Sequence, residues 1–114
     1  MKIVDRRTEM SREDIFDKLL KTKTYNFPTM EEWKPIAMQI CSKFDSDLAV
    51  ELENEFLNIA TARNSNLFPL VREVAEPNDN RPDATLLTEW LVESDEYMKI
   101  LKKYVYDCIE EERE

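Results

Sequence analysis

Glycine is absent from this chain, and so is histidine. Primed hairpin turns, tight bends and bulges lean on glycine to supply positive φ without a Cβ penalty. A sheet-rich fold is therefore disfavoured. Phosphate-cradling loops and dinucleotide fingerprints need backbone to approach a phosphate closely, so the usual ATP, GTP and NAD sites are excluded as well. Without histidine there is no Ser-His-Asp or Cys-His arrangement, no imidazole-bound zinc and no imidazole acid–base chemistry.

Cysteine is scarce, and both Cys41 and Cys108 fall inside apolar helical patterns, where buried reduced thiols are ordinary. Long hydrophobic runs are missing. The opening MKIVDRRTEM carries charges at Lys2, Asp5, Arg6 and Arg7 and lacks the apolar stretch of a signal peptide. No segment reaches membrane-spanning length, and the expected location is the cytoplasm. A formal charge of −9 opposes direct binding to DNA or RNA, which lysine and arginine drive by displacing counterions.

What is present suits helices. A hydrophobic fraction of 42% with eleven aromatics suffices for one core, while 36% charged residues leaves most helices a single apolar stripe. The expectation is an all-α chain: one domain over residues 1–114, a compact bundle of about five or six short helices with no sheet. Residues 1–10 lack a clear period and read as a flexible arm. Ser11-Arg12-Glu13-Asp14 resembles a capping box with Asp for Glu, Met10 and Ile15 stand at staple positions, and Ile15, Phe16, Leu19 and Leu20 follow at helical spacing.

Thr29-Met30-Glu31-Glu32 is a cleaner capping box, but Pro35 lies six residues in, so a short turn and then a helix starting near Pro35 are expected. Ile36, Ala37, Ile40, Cys41 and Phe44 share its apolar face. Asp45-Ser46-Asp47 is suited to cap the next helix, over about 46–63, where Leu48, Leu52, Phe56, Ile59 and Ala60 recur on one side. Ser65, Asn66 and Pro69 mark a break before a short helix, and residues 76–83, EPNDNRPD, read as a surface loop. Asp83 and Ser94 are placed to cap the C-terminal segment, either one bent helix or two across 84–112, ending in a frayed acidic tail at 111–114.

Charge is unevenly spread. Residues 45–62 hold five acids and no lysine or arginine. Within them Asp47, Glu51 and Glu55 recur every four residues and share a face with Asn54 and Asn58, so like charges adjoin at a cost of a few tenths of a kcal/mol per pair. That stripe is relieved by lysines of the same chain (Lys18, Lys21, Lys99, Lys102), left solvated, or used to dock a basic surface. Trp33, beside Glu31, Glu32 and Lys34, reads either as core or as an interface anchor, whereas Trp90 shares the face of Leu86 and Leu87 and reads as core.

One enzyme pattern is present in outline. Glu73-x-x-Glu76, then sixteen residues, then Glu93-x-x-Glu96 loosely resembles the E-x-x-E and E-x-x-D pairs that hold magnesium in all-helical nucleotide pyrophosphohydrolases of the MazG kind. Here the final Asp is Glu96, and both pairs fall at expected helix ends. The favoured reading is a small acidic, non-catalytic protein-binding module (an adaptor, assembly chaperone or inhibitor) that docks a basic surface of another protein through Asp47, Glu51, Asn54, Glu55, Asn58 and Trp33. No cofactor or metal is expected. A structural, self-assembling role and a nucleic-acid decoy are the alternatives, with the carboxylate–metal enzyme more remote. Adding magnesium or zinc should therefore leave the melting temperature nearly unchanged, since a metal that binds only the folded chain must raise it by mass action.

Overall fold

The computed structural model describes residues 11–21, 25–43 and 47–113. Six helices run through them: α1 Arg12–Lys21, α2 Met30–Lys43, α3 Leu48–Arg63, α4 Phe68–Val74, α5 Asp83–Glu93 and α6 Asp95–Arg113, with a 3-10 turn at Ser65–Leu67. No strand occurs among the described residues, and the fold is all-α. The expected arm at 1–10, Met10 of the staple, the side chain of Leu20, and Phe44, Asp45, Ser46 and Glu114 lie outside the described residues.

Both capping boxes form. The Asp14 N–H donates to Ser11 Oγ at 3.1 Å and the Ser11 N–H to Asp14 Oδ2 at 3.3 Å. At α2 the Glu32 N–H donates to Thr29 Oγ1 at 3.2 Å and the Thr29 N–H returns to Glu32 Oε1 at 3.3 Å. That second box starts the helix at Met30, ahead of Pro35, contrary to the expected turn. Pro35 removes only the bond to the Glu31 carbonyl, its ring is exposed, and Trp33 anchors the first turn by burying completely. The cap of α3 also differs from expectation. Asp47 occupies the N-cap position with φ 52° and ψ 30°, and its side chain makes no capping bond, because such a bond needs the extended backbone that this residue lacks.

Asp83 is likewise not a cap: Pro82 holds that position, and the Asp83 carboxylate accepts instead from Arg72 Nε at 2.8 Å. Residues 84–112 form two helices, parted at Ser94, whose extended backbone (φ −79°, ψ 119°) breaks the ladder and whose Oγ faces the Tyr97 N–H at 3.5 Å. Helix continues to Arg113, and Glu111 pairs with Lys34 of α2 at 3.3 Å.

Helix α3 sits centrally, against α2, α5 and α6, while α6 also meets α2 and α5, and α1 packs on α4. Being covered on two sides, α3 buries a wider arc than a single stripe. Leu52, Phe56, Leu57, Ala60 and Thr61 are buried, and Leu48 and Ile59 are only half-buried. Thr61 Oγ1 lies 2.8 Å from Thr88 Oγ1, and since the Thr88 hydroxyl donates to the Ala84 carbonyl at 2.8 Å, Thr61 is the donor of that pair.

Aromatic rings run through the core in one connected chain. Phe16 meets Trp90 edge-on at 6.3 Å, Trp90 meets Tyr25 at 5.8 Å, and Tyr25 meets Phe27 at 5.4 Å. Phe27 lies 4.9 Å from Tyr97, Tyr97 lies 6.3 Å from Phe56, and Phe56 touches both Trp33 at 5.2 Å and Tyr104 at 5.3 Å. Tyr97 is fully buried and its hydroxyl has no hydrogen-bond partner, so burial pushes its phenol well above the ordinary range. Tyr97→Phe should thus hold or raise stability, by up to about 1 kcal/mol, because it deletes an unpaired polar atom. Phe56→Ala at the branch of the chain should cost about 3–5 kcal/mol in urea unfolding.

Candidate functional site

The acidic stripe forms as a surface of α3. Asp47, Glu51, Asn54 and Asn58 are exposed on the side away from Leu52, Phe56 and Ala60, which are fully covered, and Glu55 is half-buried at the edge of that side. Among the described residues no lysine or arginine lies within 4.0 Å of the Asp47, Glu51 or Glu55 carboxylates. The internal relief expected from Lys21, Lys99 or Lys102 is not made. Alongside the stripe runs an open groove between α3 and α5, lined by Asn58, Ala62, Phe68, Ala84 and Thr85.

Trp33 does not belong to this surface. It has 0% exposure, sits edge-on to Phe56, and presents nothing to a partner, so its reading as an interface anchor is corrected to core. Trp90 is core as expected, at 5% exposure. Cys41 and Cys108 are both buried free thiols, with burial raising both and pushing Cys108 up to about 11. Neither is poised as a nucleophile.

The carboxylate pairs of the remote enzyme pattern do not assemble. Glu76 and Glu93 line one cavity of about 210 Å³ with Asp79, Arg81, Glu89 and Trp90, but Glu73 and Glu96 do not reach it. Among the described residues no group of three or more acidic, cysteine or histidine side chains converges as a metal site would require. Arg81 occupies the carboxylates there: it binds Asp79 through Nε and Nη2 (3.0 and 2.7 Å) and also pairs with Glu89, and Asp79 is held down to about 2.

Comparison with protein-family models, with characterised proteins and with solved structures finds no match to this chain.

Several side chains that position α3 were not singled out by the sequence reading. Asn64, buried at the end of α3, donates to the Ala60 carbonyl at 2.7 Å and accepts from the Asn26 N–H at 3.0 Å. Arg63 reaches back to the Glu32 carboxylate of the α2 capping box. The signals in the sequence were an asparagine at a helix end and the sole base in the last turn. Hydrogen bonds from Arg63 and Thr29 lower Glu32 from the ordinary 4.5 to about 2. A depressed carboxyl stabilises the fold above its unfolded value and loses that contribution as pH falls through its folded value. The α2–α3 tie should therefore weaken between about pH 4.5 and 2. Carboxyl-carbon NMR should find Glu32 titrating near 2, and Arg63→Ala should return it toward the ordinary range.

Proposed function

We propose that this chain is a small, non-catalytic protein-binding module that presents the acidic side of α3 to a basic surface of a partner protein. The observation that carries the reading is the stripe of Glu51, Glu55 and Asp47, with Asn54 and Asn58 between them, left without a compensating cation among the described residues. Like charges every four residues cost stability, and a complementary positive surface offsets that cost on binding while speeding encounter. The groove beside Asn58 supports the same reading by offering small, half-polar walls for a partner's helix. Two buried cysteines left as free thiols support a reducing compartment, the cytoplasm, as the setting. No helix among the described residues is long and apolar enough to cross a membrane.

The test combines capture of the partner from the native source with stopped-flow association kinetics. Glu51→Lys with Glu55→Lys should slow association by roughly ten-fold or more at low salt and flatten its salt dependence. Asp47 is changed to Asn, which tolerates the left-handed backbone that lysine would strain. Leu52→Ala, on the buried side, should instead lower stability by about 2–5 kcal/mol. Unchanged rates and salt dependence in the folded α3 variant overturn the proposal.

A further inference from the structure

A second surface of α3 carries a different pattern of charge. Glu53 is two residues out of step with Glu51 and Glu55, about 160° around the helix from them, and faces α6 across a shallow groove. Ala49 and Glu53 form one wall, and Met98, Lys102 and Tyr106 the other. Only three large hydrophobic side chains are exposed among the described residues: Val50 at 54%, Tyr106 at 60% and Met38 at 45%. Tyr106 stands in this groove, and Val50 adjoins Ala49 one turn before Glu53. On α6, Lys99, Lys102 and Tyr106 follow at i, i+3 and i+7, so they form a single exposed stripe. Glu53, Lys99 and Lys102 make no ion pair among the described residues.

We infer that the occupant of this groove is a second copy of the chain, in a two-fold dimer that lays α3 of each copy against α6 of the other. The argument is charge complementarity. A two-fold interface uses one patch twice, so the patch must complement itself: an acidic wall requires a basic wall beside it, with apolar groups between. Glu53 and Lys102 stand on opposite walls, with Met98 and Tyr106 supplying the apolar part. Rotation by two-fold symmetry sets Glu53 of each copy against Lys99 and Lys102 of the other. An all-basic partner meets the α6 lysines here, and an all-acidic one meets Glu53. Against the −9 charge of the whole chain, residues 99–106 hold three lysines and no acid, a local positive excess between Asp95 and Glu110 that eases the approach of a second acidic copy. The two helices, of 16 and 19 residues, are long enough to edge a patch of about 800 Å² per partner.

Sedimentation equilibrium of the full chain, from about 10 µM to 1 mM, tests the inference, with circular dichroism to verify that each variant folds. The wild-type mass should climb from 13.6 kDa toward twice that value. Tyr106→Glu, at an exposed position, and Glu53→Lys should each weaken the dimer at least ten-fold. Glu53→Lys combined with Lys102→Glu exchanges the two walls and should restore it, whereas Glu51→Lys with Glu55→Lys should leave it unchanged. If Glu53→Lys alone loses helix, Lys102→Glu serves as the single reversal. A chain that stays monomeric at 1 mM, a dimer indifferent to Tyr106→Glu, or a double reversal no stronger than the single overturns the inference.

Discussion

Aromatic contact is the constraint on which the arrangement of helices depends. The eight rings from Phe16 to Tyr104 form one connected set, and apart from the Tyr25–Phe27 pair each contact joins different parts of the chain: α1 to α5, α5 to the link at 25–29, that link to α6, α6 to α3, and α3 to α2. The link is not helical, so its backbone needs partners elsewhere, and Asn64 supplies them by exchanging bonds with Asn26. Ring packing also decides what goes unsatisfied. Trp90 Nε1 and Tyr97 OH are buried without partners, each an expected loss of about 1–3 kcal/mol that the burial of the ring itself must exceed.

Without glycine, the chain reverses direction by other means. Asp47 alone among the described residues takes positive φ, and an acid tolerates that conformation better than a branched or bulky side chain would. Helices α4 and α5 stop on extended residues, Ala75 and Ser94, and the helices after them start past Pro82 and that serine. Residues 75–82 are held by arginine. Arg72 donates to the Asp79 carbonyl at 2.8 Å and the Arg81 carbonyl at 2.5 Å, while Arg81 grips Asp79. Side-chain donors thus satisfy carbonyls that a tighter turn would pair within itself.

Helix existence was legible in the sequence because caps and periodicity are local signals. The Ser11 and Thr29 boxes, the loop at 76–83, the buried Trp90 and the exposed acidic stripe could all be read from spacing alone. Where the reading failed, a distant residue had intervened. Pro35 reads as a breaker until Trp33 is seen to bury against Phe56 and Arg63 to clasp Glu32, thirty-one positions away. Asp83 reads as a cap until Arg72 takes its carboxylate. Trp33 beside three charged residues reads as either core or interface anchor, and the structure decides for core because those charges point outward from a helix whose other side is buried. Leu57 and Thr61 were missed because α3 is covered by α5 as well as by α2 and α6, and a single-stripe pattern does not register a second covering layer.

The same placement of α3 bears on how its two charged surfaces relate. A helix buried along one arc by three neighbours keeps only its opposite arc and its edges for solvent, and the acids divide between them: Glu51 and Glu55 face outward, Glu53 faces the α6 edge. Side chains separated by about 160° do not compete for the same contact. A second copy seated at the α6 edge would leave both outward stripes free, so a dimer would offer two acidic surfaces in fixed relation. Their spacing would then matter as much as their charge, because linked sites gain avidity only where a partner's own basic surfaces can span them. Each stripe alone would be a modest, salt-sensitive attraction. Held in pairs on a rigid frame, the same carboxylates would select for partners with repeated basic surfaces, a discrimination that net charge alone does not provide.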